Sequence, residues 1–172
     1  MSARGLGAIT GAIIGLILCI VIFKICNKNN KVKSEYDERQ EAIRGRGFKY
    51  GFYTALAYFA ILTLLPITEL NMKVDNSVLG FCGILISVLV LAVYTIWNDA
   101  YWGINNNRMR YLIVFALATV INIAVGIGAC VTGNMIQDGV VQAPAINLLC
   151  GVLFLVIAIT LVIKMVAKRE EE

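Results

Sequence analysis

Val78–Trp97 reads VLGFCGILISVLVLAVYTIW, an apolar run without a single charged residue. A bilayer core of roughly 30 Å is crossed by about 20 apolar residues wound as a helix, and this run has that length. Four further runs of the same kind lie on either side of it: Leu6–Cys26, Phe48–Ile67, Tyr111–Thr132 and Ile146–Val166. Their only lysines, Lys24, Lys49 and Lys164, stand near the ends, where a long side chain can reach the headgroups. None of the runs alternates apolar with polar residues as a barrel strand would. Backbone groups in lipid must be satisfied within the chain, so the expected fold is all-α: one polytopic transmembrane helical bundle over residues 1–172, with five spans.

The composition agrees. Hydrophobic residues make up 59% of the chain and charged residues 15%, and the mean hydropathy is +0.79, whereas a soluble domain carries about 25% charged residues.

The charges decide the orientation. Lys24, Lys28, Lys31, Lys33, Arg39, Arg44, Arg46 and Lys49 flank the first connection, residues 27–47; Arg108 and Arg110 lie in the third; Lys164, Lys168 and Arg169 close the chain. The alternate connections hold only Arg4 and Lys73. Positive charge marks the cytoplasmic side, which predicts the N-terminus out and the C-terminus in. The first run is long for a signal core and lacks a small-residue cleavage site, so it reads as an uncleaved anchor. The net charge of +4 belongs to this anchoring and gives no reason to expect nucleic acid as a partner.

Tyr50, Tyr53, Tyr94, Trp97, Tyr101, Trp102 and Tyr111 all fall at the inner ends of spans. Two readings stay open: an interfacial anchor, as is usual for Tyr and Trp, or an aromatic surface on the inner face.

Small residues predict where helices touch. Gly7, Gly11 and Gly15 form one strip on the first run, and Ala118, Asn122, Gly126 and Cys130 form a line on the fourth. Such strips let backbones approach closely, and a mid-membrane asparagine should face another helix. A homo-oligomer through the first strip is a second use of the same pattern.

The chemistry of catalysis is thin. The chain has no histidine, which removes Ser-His and Cys-His nucleophile pairs and the usual zinc motifs. Cys19, Cys26, Cys82, Cys130 and Cys150 form no CxxC. Cys130 and Cys150 fall near outer ends, where a disulfide is conceivable, though small buried thiols are the commoner role. GRGFKYG, residues 44 to 51 less the first arginine, lacks the spacing of a phosphate loop. No carboxylate lies within a run, as coupled transport usually requires. The expectation is a protein that is not an enzyme and has no cofactor and no metal.

One polar region remains. In the first connection, residues 35–44 hold no glycine or proline and predict a helix that breaks or bends near Gly45 and Gly47. Glu35 is placed to pair with Arg39, and Gln40 to face Arg44. The third connection, Asn98–Arg108, reads NDAYWGINNNR, a turn by its glycine and asparagines. A short outer loop makes the two connections neighbours, so Asp99 is expected to meet Arg44 or Arg46. The candidate inner-face site is Tyr36, Asp37, Glu38, Arg39, Gln40, Arg44, Arg46, Asn98, Asp99, Tyr101 and Trp102.

The stretches YDERQEAIRGRGFKYGFYT and NDAYWGINNNRMRY resemble a family of small, uncharacterised integral membrane proteins of Gram-positive, especially clostridial, bacteria that carry a DERQ motif before a membrane span. The resemblance implies a multi-pass protein of the bacterial plasma membrane and brings no activity or substrate.

Two functions follow as expectations. One is a non-catalytic accessory or sensor subunit that engages a cytoplasmic protein or anionic lipid beside the bilayer that surrounds it. The other is a transport component for a small neutral or apolar solute, with the small-residue helices and Asn122 lining a cavity.

Overall fold

A computed structural model describes residues 35–65 and 72–170, together with Ile17. The chain divides into two compact units, Met1–Glu35 and Tyr36–Glu172, and all that follows concerns the second. The glycine strip Gly7, Gly11, Gly15 and, apart from Ile17, the expected first span lie outside the described residues.

The described residues of the second unit form four helices: α1 (Glu38–Leu64), α2 (Asn76–Trp97), α3 (Arg108–Val131) and α4 (Ala145–Glu170). A two-stranded hairpin, β1 (Ile136–Gln137) and β2 (Val140–Val141), links the last two. The first three helices each begin where the sequence supplies a cap. Asp37 closes a capping box on α1, Asp75 accepts from Ser77 N at the start of α2, and Asn107 accepts from Met109 N at the start of α3.

The ends are equally specific. After α3, Gly133 takes φ +72 and the amides of Gly133 and Asn134 bond back to Cys130 O and Ala129 O, the paired pattern of a Schellman stop. After α2 the same pattern is built on a non-glycine residue: Asp99 takes φ 55, its amide bonds to Ile96 O, and the Ala100 amide bonds to Thr95 O. Asp138 and Gly139, both at positive φ, form the two-residue turn that Asp-Gly favours in a hairpin. Val74 bridges Val141, which ties the start of α2 to this hairpin.

Contacts run α1 on α2, α2 on α4 and α4 on α3. The core gathers between α2, α3 and α4: Ala92, Ile96, Trp102, Phe115, Leu153, Ile157, Ala158 and Leu161 are buried together. α1 packs at the edge through glycine. A methyl group added at Gly47 would meet Thr95 Cγ2 at 2.8 Å, and one at Gly51 would meet Ser87 O at 3.1 Å, so the two backbones lie as close as side-chain-free residues allow. The helix does not break near Gly45 and Gly47: α1 is continuous from Glu38 to Leu64, and Gly47 is a packing contact against α2.

α2, α3 and α4 are each long and apolar enough to cross a membrane. The expected second span falls on α1, whose first half is polar, and α1 is not among them. The outward faces keep large apolar residues exposed, among them Phe52, Leu56, Ile121, Val125, Ile159 and Val166, a surface suited to lipid and unsuited to water. The chain is a helical membrane protein. Gly126 is buried against Leu148 of α4. Asn122 faces another helix as expected, its Cβ lying against Gly151 of α4, while its amide bonds within its own helix, Nδ2 to Ala118 O at 2.8 Å.

Candidate functional site: the polar end of the bundle

The start of α1, the end of α2, the start of α3 and the last turns of α4 meet at one end of the unit. Gln40 makes the first link. Its backbone amide is bound to Asp37 Oδ1 at 2.6 Å, and its side chain, 8% exposed, crosses to the α2–α3 loop. There Nε2 donates to Asp99 O at 2.8 Å and to Trp102 O at 3.5 Å. One carboxamide thus caps its own helix and holds a loop.

Asp99 makes the second link. Its carboxylate sits 3.3 Å from the Arg108 guanidinium and 3.2 Å from Lys164 Nζ, joining α2, α3 and α4. These side chains are each about a quarter exposed, at 29%, 27% and 23%. Oδ1 is itself buried and accepts no hydrogen bond, so its stabilisation is charge attraction. The expected partners, Arg44 and Arg46, are not the ones found. Arg44 lies over the Tyr36 ring at 4.0 Å, and Arg46 is exposed.

Aromatic rings seal the layer beneath. Trp102 is buried under Arg108, whose guanidinium stands 4.6 Å from its ring. Tyr101 packs edge-on against Trp102 and Tyr111 and tilted against Phe115, at 6.3, 6.0 and 5.9 Å. Burial pushes the Tyr101 phenol above its usual range; Tyr111 and Tyr36 add to this and Arg44 opposes it. Asn98 caps α2 and bonds to Tyr94 O.

Of the residues the sequence singles out, Gln40, Asp99, Tyr101 and Trp102 are brought together, with Tyr36 and Arg44 beside Tyr101. Asp37 serves as a cap, and Glu38 and Arg39 are exposed. Lys164 and Arg108 are the two site residues that sequence reasoning missed. Lys164 is the only charge in the fifth run, and that isolation was the available signal. Among the described residues no group of three or more His, Cys, Asp or Glu gathers as a metal site, and Cys82, Cys130 and Cys150 are free thiols.

Comparison with family models, with curated proteins and with solved structures gives no match.

Proposed function

We propose that this chain is a non-catalytic, multi-pass protein of the bacterial plasma membrane whose polar end is an inner-face docking surface for a cytoplasmic protein, in the manner of an accessory or sensor subunit. The observation that carries the reading is the Gln40–Asp99–Lys164 connection, which fixes the ends of α1, α2 and α4 into one surface. Every described lysine and arginine except Lys73 lies in the half of the unit toward this end, the side that the positive-inside rule assigns to the cytoplasm. On this reading α1 supplies a further span, residues 6–26 supply the fifth, and the chain runs N-terminus out and C-terminus in. Ala92, Ile96, Phe115, Leu153, Ile157 and Leu161 close the space between α2, α3 and α4 as one buried cluster, which supports docking over solute transport. The plasma-membrane location also draws on the resemblance carried by the YDERQ and NDAYW stretches.

Photoreactive amino acids placed at Glu38 and Arg39, and separately at Gln137 and Asp138 of the hairpin, test the proposal in living cells. A discrete protein adduct at the first pair and none at the second is expected. No adduct at the first pair, or equal adducts at both ends, would count against docking.

A further inference from the structure

We propose that the recess at the start of α3, lined by Asn105, Asn106, Asn107, Arg110, Tyr111 and Val114, seats the phosphate of an anionic phospholipid. The proposal rests on the reading above that this end lies at the inner headgroup level. The recess holds about 370 Å³, within the range of small-molecule sites.

The two arginines of α3 have different surroundings. Arg108 is paired with Asp99 and covers Trp102. Arg110, two residues on and so turned to another side of the helix, is exposed, and among the described residues it has no ion-pair partner. Its guanidinium can grip a phosphate through two parallel N–H donors, and the asparagines bring amide groups to the same rim. No carboxylate lines the recess. An anion therefore meets no repulsion, and the ammonium of a zwitterionic headgroup would find no counter-charge.

The lining also changes character with depth, from asparagine through Arg110 and Tyr111 to Val114. Beyond Val114 the exposed side chains Leu117, Ile121 and Val125 continue along one face of α3, at spacings of three and four residues. A polar seat that opens onto an apolar track matches a headgroup with an attached acyl chain. A free phosphate would use only the seat.

The test uses the purified full chain in neutral detergent, titrated with phosphatidylglycerol, phosphatidylcholine or inorganic phosphate, and reads binding by native mass spectrometry. Arg110→Gln is compared with Arg44→Gln, an equal loss of charge at the same end. Arg110 is exposed, so Arg110→Gln should melt as the parent does without lipid; Arg44→Gln, which loses the stack on Tyr36, is compared at a temperature at which both variants are folded. The preference for phosphatidylglycerol over phosphatidylcholine should fall about tenfold in Arg110→Gln, the scale of one charge-assisted hydrogen bond, and persist in Arg44→Gln. Equal losses in both variants would mean diffuse charge attraction and overturn the site. Full competition by inorganic phosphate would overturn the lipid assignment, as would the absence of any preference. Each of these results leaves the docking reading standing, since that reading fails on its own crosslinks.

Discussion

Gln40 Nε2 donates to the backbone carbonyl of Asp99 at 2.8 Å, across 59 positions of sequence. The bond joins the first turn of α1 to the stop signal of α2, and the same carboxamide oxygen lies 3.4 Å from the Asp37 amide in the capping box. Helix start, helix stop and interhelix contact therefore depend on one side chain.

Gln40→Ala should cost about 1–3 kcal/mol by leaving a carbonyl unsatisfied in a mostly buried place. Gln40→Glu should cost more, because a carboxylate cannot donate and would face two carbonyl oxygens. Thermal unfolding of the variants in detergent measures both. A Gln40→Glu protein as stable as the parent would show that the bond is not formed.

Asp99 combines a left-handed backbone with two ion pairs, and three substitutions separate the contributions. Asn tolerates positive φ but loses the charge, Gly removes the backbone cost, and Ala loses on both counts. Partly exposed pairs lie between the surface and buried limits, so Asp99→Asn should cost about 1–2 kcal/mol. Asp99→Ala should cost about 1 kcal/mol more than Asp99→Gly. Equal melting temperatures for Ala and Gly would remove the backbone from the account.

Gly51 and Gly45 offer a matched pair on α1. Leu at Gly51 must displace Ser87 O, and the overpacking should cost about 1–3 kcal/mol. Nothing lies within 4 Å of a methyl group at Gly45, so Gly45→Ala should stabilise α1 by about 0.5–1 kcal/mol through helix propensity alone. Similar effects of Gly51→Leu and Gly45→Leu on the melting curve would mean that α1 does not pack on α2 at this point.

The raised pKa of Tyr101 has a definite sign. The folded protein holds the phenol neutral more firmly than the unfolded chain does, so its contribution is fully present below about pH 10, the unfolded value. It is lost as pH rises from there through the higher folded pKa. Between pH 9 and 11, Tyr101→Phe should therefore lose less stability with pH than the parent protein in detergent melts. A steeper loss in the variant would reverse the assignment.

The three long apolar helices were legible because lipid demands uninterrupted apolar length. The runs 78–97, 111–132 and 146–166 fall on α2, α3 and α4 with ends differing by a few residues. The continuity of α1 was not legible, because a glycine read alone signals flexibility. Only the partner reveals that Gly47 and Gly51, four apart, are a seam. The Asp138-Gly139 turn carries a readable hairpin signal, one that the charges of the connection do not reveal. At the polar end, the acid was identifiable but its partners were not. Asp99 was expected to pair with Arg44 or Arg46 because a hairpin brings α1 and α2 together. The structure instead has Arg44 over Tyr36, and Lys164, distant in sequence, reaches Asp99 from α4.

The sidedness of the polar end is the central claim, and thiol labelling tests it most directly. With the native cysteines replaced, Asn105→Cys and Asp138→Cys are treated in intact cells with a membrane-impermeant maleimide, and again after permeabilisation. Asn105→Cys should be protected until permeabilisation and Asp138→Cys should label at once. Immediate labelling of Asn105→Cys with protection of Asp138→Cys would place the Gln40–Asp99–Lys164 surface outside the cell and contradict the account.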